Sequence, residues 1–194
     1  RIFIAPTLEM EAVAIKAVPI WKPDGWLVDD ARAFTPTLYG IKQWSDLFTD
    51  RQSVVLTTLN DIVTEIRDKI IQDSISAGME ADGKKLDEGG NGAIAYTESV
   101  SVYLAFLVSQ VANHSSTICG WNHPNTQMRS VFSRQAIQMT WDFAEANVFS
   151  DSSGSYTNLY ERQIKGMGAL GSKIPGFAYQ ADAQNQTISL FKVV

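Results

Sequence analysis

The clearest rhythm of apolar and polar positions lies between Thr49 and Gly78. Val55, Leu59, Ile62, Ile66 and Ile70 recur at spacings of four, three, four and four, one stripe on a helix of 3.6 residues per turn. Thr49 and Gln52 stand three apart at its start, the spacing of a capping box, in which each side chain answers an orphan backbone N–H. Gly78 is a natural stop. The pattern predicts one helix over 49–78, roughly 40 Å long at 1.5 Å per residue. A second helix is expected from about Ala93 to His114. It is apolar nearly all round from Val100 to Val108, which predicts burial on several sides. A third helix is expected over Thr126–Ala146, and a fourth over "YTNLYERQIKGMG", weakened by its glycines.

The ends read differently. "RIFIAP" suggests a short strand stopped by Pro6, and "TLEMEAVAIKAV" a helix capped by Thr7. The stretch from Pro19 to Gly40 holds three of the six prolines and two of the five tryptophans, and should lie over a surface. "EADGKKLDEGGNG" and "SDSSGS" read as loops. Apart from that short N-terminal stretch, strands are expected only in the last 20 residues. The fold class is therefore mostly α. Its expected parts are an irregular wrapping segment (1–45), a helical domain (46–172) and the start of a sheet (173–194).

The chain has 194 residues, enough for one sizeable core, with a hydrophobic fraction of 45% and a charged fraction of 19%. A net charge of −5 argues against a surface dedicated to coating nucleic acid, though not against a local basic patch. The single cysteine, Cys119, excludes an internal disulfide and fits a reducing compartment. "VSVYLAFLV" falls short of the roughly 20 residues needed to cross a bilayer. A cytoplasmic protein without membrane contact is expected.

Several segments carry candidate chemistry. "GMGALG" matches G-x-G-x-x-G in letters, but a charged helix precedes it and "SKIPG" follows. A dinucleotide loop needs a strand before it and a helix after. His114, Cys119 and His123 lack an evident fourth zinc ligand, and read as a buried thiol and two histidines near a helix end; no metal is expected. Asp142 and Glu145 are three apart, on one face of the expected third helix, either as an acid–base pair or as solvated acids of a helix end. Asn147 sits where that helix should yield to a loop. Arg129, Arg134, Arg162 and Lys165 are candidate phosphate contacts or a solvated cationic face. Asp182 lies between Ala181 and Ala183, at the expected end of a strand. There an acid accepts a hydrogen bond from a bound adenine's amine, with neighbouring N–H groups addressing the ring, or simply forms a turn.

"YGIKQWSDLFTDRQSVVLTTLNDIV" (39–63), "FSRQAIQMTWDFAEANVFSDSSG" (132–154) and "YQADAQ" (179–184) together resemble the middle of large prokaryotic adenine-specific DNA methylases. In that family an N-terminal domain of unknown function is common and some members carry a zinc ribbon. The resemblance covers most of the chain, and the pairing of "DLFTDRQ" with "WDFAEAN" is its specific part. It implies a helical insertion within a Rossmann-like α/β methyltransferase that uses S-adenosylmethionine and acts on DNA. A glycine-rich cofactor loop would lie upstream. A catalytic Asp-Pro-Pro-Tyr motif would follow a strand like "SLFKVV", just after Val194, and hold a flipped adenine. Neither part is present in this sequence, so the piece alone should be inactive. Val148 stands where the family often has proline. The resemblance makes Asp182 and Ala183 the cofactor-adenine contacts and marks Asp142, Glu145 and Asn147 as substrate or loop residues. The rival expectation is a non-catalytic helical module that binds a protein partner or nucleic acid in a defence or modification complex.

Overall fold

The computed structural model describes residues 4–133, 136–169 and 182. The described part is mostly helical. Thr7 caps α1 (Leu8–Ile15) by accepting from the Met10 N–H. No residue of α1 is buried, and Leu8 and Ile15 are more than four-fifths exposed. The capping box forms as expected. Gln52 N–H donates to Thr49 Oγ1 (3.2 Å), Thr49 N–H donates to Gln52 Oε1 (2.9 Å), and α2 (Asp50–Glu65) starts there.

The single helix expected over 49–78 is interrupted. Ile66 ends α2 and begins α3 (Arg67–Ser76), with its ψ opened to −12°. The Thr64 hydroxyl donates back to the Asn60 carbonyl (3.4 Å) in the turn just before. Such back-bonding competes with the backbone ladder and bends helices. Gly78 takes φ +94°, the left-handed stop expected of a glycine at this position.

α4 (Ala93–His114) packs against α2, α3 and α5 (Tyr156–Gly168). Leu107 and Val111 on α4, Val148, and Leu159 on α5 form one buried cluster, with Val55, Leu56, Leu59 and Tyr156 against it. Burial of α4 is less complete than its composition predicts. Val102 and Phe106 are about half exposed, at 47% and 57%, because the three partner helices leave that face uncovered among the described residues. α4 is also long and apolar enough to cross a bilayer by length and composition, a test that a soluble core helix passes equally well.

The helix expected over Thr126–Ala146 is absent from the described residues. Instead β1 (Trp121–Asn122) and β2 (Gln127–Met128) form an antiparallel hairpin, and a single 3₁₀ turn covers Val131–Ser133. Further on, Ile137 pairs with the N-terminal segment. Ile137 N–H donates to the Ala33 carbonyl (2.7 Å) and Thr35 N–H to the Ile137 carbonyl (3.2 Å), a parallel bridge. Met139 N–H donates to Thr35 Oγ1 (2.7 Å). The apolar residues Ile137, Met139, Trp141 and Phe143 recur every second position, the period of an extended chain. Strands are thus not confined to the C-terminal end. Those expected within 173–194 lie outside the described residues; of the strand expected over "RIFIAP", Arg1–Phe3 lie outside them and Ile4–Pro6 form no strand.

The irregular N-terminal segment joins a second core. Leu27, Leu47, Ile118 and Ile137 are buried together, with Phe34, Ile41, Phe48 and Val131 packed on them. Trp26 bridges Gln43, and Thr117 N–H donates to the Leu47 carbonyl (2.8 Å).

Candidate functional site

The two segments most specific to the resemblance meet in space. Capping by Thr49 fixes the first turn of α2, so Arg51 and Gln52 have a set direction. On the other side, Thr140 and Ala144 are tied to the chain at 118–119. Thr140 Oγ1 donates to the Ile118 carbonyl (3.0 Å) and Ala144 N–H to the Cys119 carbonyl (2.8 Å). Burial of Val148 in the α4/α5 core fixes the far end. Glu145 is thereby placed opposite Arg51. Arg51 Nε donates to Oε1 (3.0 Å) and Nη2 to Oε2 (2.9 Å), a two-pronged pair across 94 residues of sequence. The Glu145 hydrogen bond, and then its charge, raise the Arg51 pKa further above its already high ordinary value.

Beside this pair lies a cavity of about 410 Å³. Arg51, Gln52, Val55, Ser115 and the run Glu145–Phe149 line it. Gln52 is 2% exposed and commits its oxygen to Thr49, while its Nε2 is buried without a partner among the described residues, as is Ser53 Oγ. Asn147 is a turn former here. Its Oδ1 accepts from the Phe149 N–H (3.0 Å), and its carbonyl accepts from the Ser150 N–H and hydroxyl. The turn lifts Phe149 to the rim of the cavity, where it is 89% exposed.

Asp142 and Glu145 do not share a helix face, because no helix forms there. Asp142 is exposed and does not line the cavity, beside a Trp141 whose ring meets Tyr39 edge to face at 4.7 Å. Glu145 is engaged by Arg51, and the arrangement is a clamp between two distant segments of the chain. Asp182 is exposed. Ala183 and the strands flanking Asp182 lie outside the described residues.

A second, larger cleft of about 650 Å³ opens beside the β1–β2 hairpin. His114, Asn122, Gln127, Arg129, Gln138 and Arg162 are among its lining residues. The structure thus brings two of the four cationic candidates onto one cleft; Arg134 lies outside the described residues, and Lys165 does not line it. His114 Nδ1 donates to the Gln110 carbonyl (2.9 Å). Cys119 is buried near Ser116 Oγ (3.3 Å) and the Asn113 carbonyl (3.6 Å), and burial raises its thiol pKa. Among the described residues, no three His, Cys, Asp or Glu side chains cluster as metal ligands would. Gly166 and Gly168 of "GMGALG" belong to the last turns of α5, in ordinary helical geometry.

Comparison with protein-family profiles, with curated proteins and with solved structures gave no match.

Proposed function

We propose that this chain is the helical insertion of an S-adenosylmethionine-dependent DNA adenine N6-methyltransferase with a Rossmann-like sheet. The observation that supports this most is the meeting of "DLFTDRQ" and "WDFAEAN", the two segments that carry the resemblance. Their Arg51–Glu145 clamp and the cavity beside it give both segments a common structural purpose. Asp182 is exposed, and the proposal pairs its carboxylate with the adenine amine of the cofactor. The contribution of this part is positioning. The clamp ties α2 to the loop at Asn147, and Phe149 is held outward where a base could stack on it.

Two measurements test the proposal. The coding sequence beyond Val194 should carry an Asp-Pro-Pro-Tyr-type motif, and its absence would remove the enzyme assignment. Calorimetry should show S-adenosylmethionine binding to the full-length gene product, weakened by about 1–3 kcal/mol in Asp182→Ala. Unchanged affinity would remove Asp182 and its neighbour Ala183 from the cofactor site.

A second proposal, a non-catalytic module docking a protein partner, is favoured by the exposed helix α1 and the uncovered face of α4. It predicts the same fold with neither cofactor binding nor the downstream motif.

A further inference from the structure

We propose that the cleft beside the β1–β2 hairpin binds a nucleic-acid phosphodiester backbone, with Arg129 and Arg162 as its phosphate contacts. The whole chain is acidic, with 21 Asp and Glu against 16 Lys and Arg. None of the fifteen residues that line this cleft carries a carboxylate. Its local charge is therefore opposite in sign to that of the chain.

The two arginines arrive from distant elements. Arg129 follows β2, and Arg162 lies on α5, where its Nη2 donates to the neutral Asn158 Oδ1 (3.3 Å). The ion pairs among the described residues use Lys22, Arg51, Arg67 and Lys69, so neither cleft arginine is neutralised by a carboxylate among them. Two arginines lining one cleft, with no carboxylate among its lining residues, form a site that an anion can occupy with charge-assisted hydrogen bonds.

The remaining polar lining is neutral: Asn122, Gln127, Ser130, Gln138, Thr140 and Ser153. Ser153 Oγ accepts from the Met128 N–H (3.1 Å) and keeps its own hydrogen to donate. Arginine with neutral amide and hydroxyl groups is the usual set for phosphate and sugar oxygens. At about 650 Å³ the cleft far exceeds one phosphate ion, and it suits a continuous polyanion. Phe132, 64% exposed, follows the lining residue Val131, and the exposed Trp121 precedes the lining residue Asn122. Rings next to a cationic groove are where unstacked bases find partners. The choice of DNA rests on the methyltransferase proposal; the phosphodiester chemistry does not.

The test uses the full-length gene product and a fluorescein-labelled 24-base-pair DNA duplex, with anisotropy read across a salt series. Arg129→Gln/Arg162→Gln should weaken binding at least tenfold and lower the slope of log K against log salt by about 2, at about 0.9 for each phosphate no longer neutralised. Lys84→Gln/Lys85→Gln removes the same charge from two exposed loop positions and should leave the slope within about a quarter of wild type. Circular dichroism and urea midpoints confirm that both variants fold. Equal slopes for the cleft and loop variants, or no change in either, would overturn the proposal. A slope change without any methyl transfer would keep the cleft and remove the methyltransferase reading.

Discussion

The Arg51–Glu145 clamp makes a sharp thermodynamic prediction. Two charges near 4 Å attract by about 1 kcal/mol in water and about 4 kcal/mol at an effective dielectric of 20. The side chains are 48% and 27% exposed, so the pair lies toward the watery end of that range. Ordering a long arginine and a glutamate offsets part of the gain, each costing up to roughly 1.5–2 kcal/mol in rotamer freedom. Exposed pairs measured by double-mutant cycles give about 0.2–1 kcal/mol, and the two-pronged geometry belongs at the top of that span. A cycle of Arg51→Ala, Glu145→Ala and the double variant should therefore return a coupling of about 0.5–1 kcal/mol. Urea denaturation at low ionic strength is the assay. In 1 M salt the Debye length falls to about 3 Å and the coupling should drop by roughly half. A coupling of about 0.2 kcal/mol or less, or one indifferent to salt, would refute the clamp as a tie between α2 and the Asn147 loop.

Three further outcomes follow from packing and burial. Leu107→Ala, at 1% exposure in the α2/α4/α5 core, should cost about 3–5 kcal/mol by urea denaturation, whereas Ile15→Ala on α1, 82% exposed, should stay within about 0.5 kcal/mol. Gly154 sits at φ +87°, and an added Cβ would lie 2.9 Å from Ala146 Cβ and from Met128 Cγ. Gly154→Ala should therefore cost about 2–4 kcal/mol, and an effect below about 0.5 kcal/mol would contradict the close approach of the hairpin to the 141–148 segment. Burial raises the Cys119 thiol above its ordinary value of 9.0, against the opposing hydrogen bond of Ser116. The folded chain then keeps a proton that the unfolded chain releases, so this contribution is intact below about pH 9 and is lost as pH rises through the folded value. Stability should fall above about pH 9 by at most about 1.4 kcal/mol per pH unit, and Cys119→Ala should flatten that slope.

How far the sequence discloses the molecule depends on the range of the interactions involved. The Thr49–Gln52 box, the Thr7 cap and the Gly78 stop are local, within a few residues, and are legible directly. So are α4, whose bounds match the expected ones, and α5. The segment after β2 reads as helix only while its backbone partners are unknown; Ala33 and Thr35 lie about a hundred residues away. Its alternation at Ile137, Met139, Trp141 and Phe143 is the signal that separates extended chain from helix. The half-exposed face of α4 is hidden for a different reason. Composition shows that a helix is apolar, but which neighbours cover it is a tertiary fact.

The candidate site divides the same way. Glu145 and Asn147 stand out within "WDFAEAN", yet nothing local points to Arg51 as the partner of Glu145, or to Gln52 and Phe149 on the same cavity. Arg129 and Arg162 are visible as cations in an acidic chain; that they share a cleft with no carboxylate among its lining residues depends on Arg162 of α5 reaching the cleft beside the hairpin.

The most direct measurement is methyl transfer. The full-length gene product should be incubated with tritiated S-adenosylmethionine and adenine-containing duplex DNA, and the nucleosides separated by mass spectrometry after digestion. N6-methyladenine carrying the label, reduced at least tenfold by Arg51→Ala with the fold intact, is the predicted result. DNA that gains no label from a folded, full-length protein would contradict the account.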